Sequence, residues 1–337
     1  MTNKHKSDNI LHQLEKSGFS SGYINNMLPD WWDPSATDNP VGLAEFKLLL
    51  SRNLSLDIAS LSADDDQLDL RFKLPHVRKL KRGVRYSDIQ LTPAMSVALT
   101  CARIAANSFS REYSPLPDAL SLHNYVLENL SAKYVSFKSL LMACWHHGIP
   151  VIHVSNYPDG MPKMDGMVTV INDRPIIVLS KLTPYNAWMS FILAHEIGHL
   201  ALGHCNSGEL LIDEDLESSK IDNEALDDDE SAADKYALDL LGGENDFKGI
   251  LSTSMSPTQM ARRAMEYHRS HNVDAGHILL RFAFSSGEWQ GPMTALKALD
   301  TKTNPINLIR EGQKNYLDDD LASESSMTFL KKMTGTI

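Results

Sequence analysis

Cysteine is scarce in this 337-residue chain: Cys101, Cys144 and Cys205 are three in number, odd and widely spaced, which excludes a disulfide framework. A reducing, cytoplasmic compartment is therefore the expected one. No apolar run approaches the length of a membrane span, and the polar start Met1-Thr2-Asn3-Lys4-His5-Lys6-Ser7-Asp8 leads to no apolar signal segment. Repeats of fixed period and long low-complexity tracts are also missing, which sets solenoid architectures aside. Positive charge is in deficit: 32 Lys and Arg against 43 Asp and Glu leave a net charge of -11, which argues against a generic nucleic-acid binder. What remains is a globular composition, 42% hydrophobic, long enough for a sizeable core and two or three domains.

One run stands apart from this background. His195-Glu196-Ile197-Gly198-His199 reads HExxH and lies inside the apolar stretch Phe191 to Leu202. Residues four apart share a helix face, so the two imidazoles stack one turn from each other with a carboxylate beside them. Apolar residues on nearly every side mark a buried helix. Two imidazoles and a carboxylate without partners are costly to bury, and coordination of a metal removes most of that cost. Zinc with neutral imidazole nitrogens is the usual solution. His195 and His199 are thus the expected metal ligands and Glu196 the expected catalytic base. The competing reading is a chance match satisfied by hydrogen bonds.

A catalytic zinc takes three protein ligands and leaves one position for water. The metzincin continuation needs Gly at 202 and His at 205, where this chain has Leu202 and Cys205. Gly203 reads as a helix stop, and His204 as a C-terminal cap or a group supporting a ligand from behind. Cys205 reaches a metal only if the helix unwinds, and an ordinary buried thiol is the simpler reading. Downstream, Ala232, Ala233, Tyr236, Ala237, Leu240 and Leu241 recur at helical spacing. Glu230 sits one turn before Asp234, on the side carrying Ala233, Ala237 and Leu241, and an inward carboxylate needs a partner such as the metal. This ExxxD pair after HExxH is the gluzincin pattern, in which the first acid ligates and the second orients a motif histidine through its free ring nitrogen. Asp227, Asp228 and Asp229 compete for the ligand role, although Asp229 is better explained as a helix N-cap. His153, Tyr185 and His204 are candidates for stabilising an oxyanion.

Charge is unevenly placed. Arg71, Lys73, Arg78, Lys79, Lys81, Arg82 and Arg85 form a run without an acid, whereas Asp213 to Glu230 holds ten acids and one Lys. The basic run offers a contact for nucleic acid or an acidic partner. No helix-turn-helix or aromatic-interleaved RNA motif accompanies it, so a solvated linker is the simpler reading. The acidic run reads as a solvated loop between two metal-bearing helices. Residues 9–60 read as short helices interrupted by Pro29-Asp30-Trp31-Trp32-Asp33-Pro34, whose paired Trp side chains suggest an anchoring corner. Leu61 to Arg85 reads as weakly structured, Leu91 to Phe109 and Phe137 to His147 as helices, and Val168 to Leu179 as a hairpin. After Gly249, Gln259 to Arg269, Ala275 to Phe284, Met293 to Leu299 and Ser326 to Lys332 read as stacked helices. The expected class is α+β. A helical N-terminal region with a basic linker covers 1–118, a zincin-like metallopeptidase core with a small β-sheet and the HExxH helix covers 119–250, and a helical C-terminal region covers 251–337.

Several segments between about residues 135 and 245 carry a wider likeness. They are Val151-Ile152-His153-Val154, Lys163-Met164-Asp165-Gly166-Met167, the 168–179 hairpin, HEIGH, and Glu230-Ser231-Ala232-Ala233-Asp234-Lys235-Tyr236-Ala237, which matches an E-x-x-A-D/N-x-F/Y-A helix. In these the chain resembles the ImmA/IrrE family of metallopeptidases. It departs from the pattern at Ala232, where an acid is usual, and at Gly242-Gly243, where Met-Pro is usual. The resemblance implies a soluble gluzincin with Zn2+ on His195, His199 and Glu230, supported by Asp234. It further implies cleavage of a protein partner, often a helix-turn-helix repressor or antitoxin, that derepresses stress, mobile-element or phage-defence genes. A reading from another class stays open: a regulatory binding component of a toxin–antitoxin or defence pair whose metal site is latent or structural. Glu196 speaks for catalysis, because a structural site has no use for a base. A cell-wall or small-molecule amidohydrolase is the weakest reading, for want of an export signal.

Overall fold

The computed structural model describes residues 3–62, 68–79, 87–161, 164–213, 228–299 and 304–336. Lys81, Arg82 and Arg85 of the basic run, Lys163, and Asp227 with most of the acidic run lie outside the described residues.

Short apolar runs build the centre of the molecule. Five strands, β1 (His76–Lys79), β2 (Val151–His153), β3 (Gly166–Ile171), β4 (Arg174–Leu179) and β5 (Glu209–Asp213), pair in the order β1-β5-β3-β4-β2. β3 runs antiparallel to β4 and β5, while β1 joins β5 and β2 joins β4 in parallel. The β3–β4 hairpin closes through Asn172 and Asp173, at φ of 50° and 62°. Two positive φ values match a tight turn to the strand twist, and Asn and Asp tolerate that conformation. Successive side chains point to opposite faces. Val168, Ile177 and Leu211 therefore enter one core, and Met167, Ile176, Val178, Leu210 and Ile212 enter another. With both faces covered, these strands carry near-continuous apolar runs.

Helices Phe137–His146, Asn186–Ala201, Asp228–Gly242 and Ala275–Ser286 contribute to the first core. Asn3–Lys16, Ser21–Met27, Pro40–Asn53, Asp88–Asn107 and the last helix, Glu324–Thr334, contribute to the second. The chain is mixed α+β, with a small sheet between helical layers. Segments that composition separates share these cores. β1 comes from the N-terminal region and pairs with β5, while Phe329, Leu330 and Met333 from the far end join Ile10, Leu14 and Ile24. Among the described residues, no helix is long and apolar enough to cross a membrane.

One sequence expectation is corrected here, and two further elements carried no sequence expectation. Leu61 to Arg85 contains a strand, β1, whose polar His76, Arg78 and Lys79 mask it because only one edge is paired. β5 joins the sheet from after the HExxH helix, beyond the 168–179 hairpin read from the sequence. Helix Pro305–Tyr316 was not foreseen. At the Trp pair, Trp32 stacks on Phe46 with ring centroids 5.7 Å apart, and Trp31, 58% exposed, meets Trp32 edge-on at 6.2 Å.

Candidate metal centre

Helix Asn186–Ala201 is buried without interruption from Ala187 to His199. Its polar side chains must therefore be met by protein groups or an ion. Gly198 makes the meeting feasible: a Cβ there would lie 3.1 Å from Ala233 O and 3.2 Å from Ala233 Cα, so helix Asp228–Gly242 crosses in close contact. That crossing carries Glu230 to the two imidazoles.

Ligand-capable atoms of His195, His199 and Glu230 all lie within 4.8 Å of one another, and the three residues are buried. His199 Nε2 stands 2.9 Å from His195 Nε2 and 3.3 Å from Glu230 Oε1, with His195 Nε2 3.7 Å from the same oxygen. Two ring nitrogens that close must share a proton or a cation. Two imidazoles and a carboxylate converging in a dry site form a donor set that fits a metal ion. Of the competing acids, Asp228 is exposed, whereas Glu230 is fully buried.

Each imidazole is also engaged from behind. His195 Nδ1 lies 2.8 Å from Asp234 Oδ1, and His199 Nδ1 lies 2.9 Å from His204 Nδ1. Gly203, at φ +73°, ends the helix and turns the chain so that His204 N donates to His199 O at 2.9 Å. Burial, together with His199 and Arg78, lowers the His204 pKa from its ordinary value, while Asp229 and Glu230 pull it upward.

Glu196 is fully buried beside this cluster. A Cβ on Gly166 would overlap its Oε1 and lie 2.6 Å from its Cδ, so the first residue of β3 forms the wall against which the carboxylate rests. Gly166 had appeared only as part of a motif; its signal was an isolated glycine in a strand, which marks a close approach. Asp229 and Arg78 were missed as well. Asp229, expected as an N-cap, sits in the first turn of its helix, its Oδ2 2.9 Å from Arg78 Nη2 and its Oδ1 3.5 Å from His204 Nε2. Arg78 Nη1 also donates to His204 O at 2.7 Å. Elsewhere in the basic run, Arg71 and Lys73 pair with Asp57 at 3.5 and 3.2 Å. Both cationic side chains stay exposed, as a solvated segment would leave them.

Other candidates fall outside the cluster. His153 directs Nδ1 to Ser155 Oγ at 2.9 Å and Nε2 to Lys181 O at 3.1 Å, a structural arrangement in β2. Tyr185 precedes the first residue of the HExxH helix, and ten residues of helix place it about 15 Å from His195 along the axis. Cys205 Sγ lies 3.7 Å from Val168 O and 3.8 Å from Glu209 O. Burial foremost, with Glu209 and Glu196, pushes that thiol up to about 12, which keeps it protonated and inert. No protein-family model and no curated protein matches the chain.

Proposed function

We propose that the protein is a zinc-dependent endopeptidase in which His195, His199 and Glu230 hold the ion and Glu196 is the base. The observation that carries this reading is the convergence of the three donors in a buried site with Glu196 on the same helix. Two imidazoles and one carboxylate favour Zn2+ by ligand type. When bound, such an ion supplies Lewis acidity toward a water molecule and a scissile carbonyl. Glu196 takes the proton of the attacking water and passes it to the leaving amine. Asp234 accepts from His195 Nδ1–H and so fixes the tautomer that leaves Nε2 available as a ligand.

The likeness to the ImmA/IrrE pattern supports a protein substrate, for which we propose a helix-turn-helix repressor or antitoxin. Its cleavage would derepress stress, mobile-element or phage-defence genes. A second reading, a latent peptidase or regulatory binding component, is favoured by one observation: His195, Glu196, His199 and Glu230 all have zero exposure. An extended peptide reaches Glu196 only after the centre opens.

The deciding experiment is metal content by mass spectrometry on wild type, Glu196→Gln and Glu230→Ala, with co-expression of any helix-turn-helix protein encoded by a neighbouring gene. About one zinc in wild type and Glu196→Gln, less in Glu230→Ala, and partner cleavage in wild type alone are expected. Stoichiometric zinc with an intact partner would select the second reading, and a zinc-free wild type would refute both.

A further inference from the structure

We infer that Arg78, Asp229 and His204 form a positioning chain that holds His199 in the tautomer needed to ligate through Nε2. The chain rests on the metal site proposed above and concerns what keeps that site assembled.

Proton placement dictates its direction. His199 presents Nε2 to His195 and Glu230, so as a ligand it must carry its proton on Nδ1. The atom facing that proton at 2.9 Å is His204 Nδ1, which must therefore be the lone-pair nitrogen. The His204 proton then sits on Nε2, facing Asp229 Oδ1 at 3.5 Å. The other Asp229 oxygen receives Arg78 Nη2 at 2.9 Å. The His199 and His204 protons thus point outward from the ligand cluster, Arg78 donates inward, and both directions end on the Asp229 carboxylate. Moving the His204 proton to Nδ1 would set two N–H groups against each other and force His199 to place its own proton on Nε2, where it would block coordination.

His195 needs no such chain, because the Asp234 carboxylate accepts from it directly. His199 has a neutral imidazole as its partner instead, and Asp229 supplies the negative charge one ring further out. Arg78 holds both ends of this arrangement. One guanidinium nitrogen fixes the Asp229 carboxylate, and the other binds the His204 carbonyl at 2.7 Å. It does so from β1, at the sheet edge, and ties the end of the HExxH helix to the start of the Glu230 helix. None of the three residues belongs to the ligand cluster itself; each acts on the ion through His199.

The test is zinc affinity of the full-length protein, measured by competition with a chromophoric chelator at one pH, alongside the visible spectrum of the Co2+-loaded form. His204→Phe should weaken zinc about 10–100-fold and shift the Co2+ bands, as loss of a ligand's outer hydrogen bond does. His204→Gln, whose carboxamide can accept from His199 and donate to Asp229, should recover most of the affinity. Arg78→Met and Asp229→Asn should weaken zinc several-fold while leaving metal-free thermal unfolding near wild type, and they carry the test if His204→Phe does not fold. Zinc affinity and Co2+ spectra unchanged in these variants would overturn the chain while leaving the metal site standing. Equal losses in His204→Phe and His204→Gln, tracking lost metal-free stability, would also overturn it. A wild type that binds no zinc would overturn the metal site and the chain together.

Discussion

Gly166→Ala tests how closely Glu196, the proposed general base, is confined. Ordinary Cβ contacts begin near 3.4 Å, and the added methyl would stand 2.6 Å from Glu196 Cδ and overlap Oε1. Gly166 is not among the glycines with positive φ, so alanine meets no backbone strain there. The obstruction falls on the carboxylate, which must retreat by about 1 Å. Misplacement of a reacting group on that scale costs about 10²-fold in rate, or about 2.7 kcal/mol of transition-state stabilisation. Zinc content should stay at the wild-type value, because Glu196 is not among the three residues proposed to hold the ion.

The assay is the initial rate of partner cleavage at saturating zinc, with metal stoichiometry measured on the same samples. Glu196→Gln sets the floor, expected about 10²–10⁴-fold below wild type. Glu196→Asp withdraws the carboxylate by one methylene, so adding Gly166→Ala to it should cost much less than the glycine change costs alone. Such non-additivity is the signature of two groups in contact. A wild-type rate in Gly166→Ala, or strict additivity in the double variant, would refute the confinement of Glu196 by β3.

Three further outcomes are expected. Asp234→Asn removes the carboxylate acceptor of His195 Nδ1, and chelator competition should show zinc bound about 10–100-fold more weakly; unchanged affinity would remove Asp234 from the site. Burial, with Arg281 and His123 nearby, lowers the His277 pKa to about 3, and neither ring nitrogen has a hydrogen-bond partner among the described residues. The folded chain keeps this ring neutral while the unfolded chain protonates it, so stability is full above the ordinary histidine pKa and falls as pH drops toward 3. By pH 5 the loss is about 2 kcal/mol, and urea unfolding of His277→Leu should lack that part of the pH dependence. Gly312→Ala would drive a methyl into the Trp145 ring, 2.7 Å from Cε2, and should lower stability by about 1–3 kcal/mol or more in a thermal scan; an unchanged midpoint would show that the ring can yield.

The candidate donor set was legible in the sequence because helix geometry is local. His195 and His199 must be four apart to share a face, and the same spacing puts Glu230 and Asp234 on one side of the next helix. The hairpin was legible too, since two short apolar runs and the Asn-Asp turn between them are written in consecutive residues. Arg78, Asp229 and Gly166 were not, and the reason is physical. A group that steadies a ligand needs only one hydrogen bond or one contact, which any element can deliver once the chain is folded. Arg78 meets His204 across 126 residues and Asp229 across 151, so no spacing rule announces it. Its setting in a run of basic residues pointed instead to solvent, yet its side chain is one-third exposed and engaged at both ends. Gly166 is visible only by what it lacks, a Cβ that would collide with a carboxylate 30 residues later in the chain. Coordination imposes a pattern on the donors themselves, whereas the residues that orient those donors are selected by reach, and a long guanidinium on a short edge strand supplies reach without any pattern.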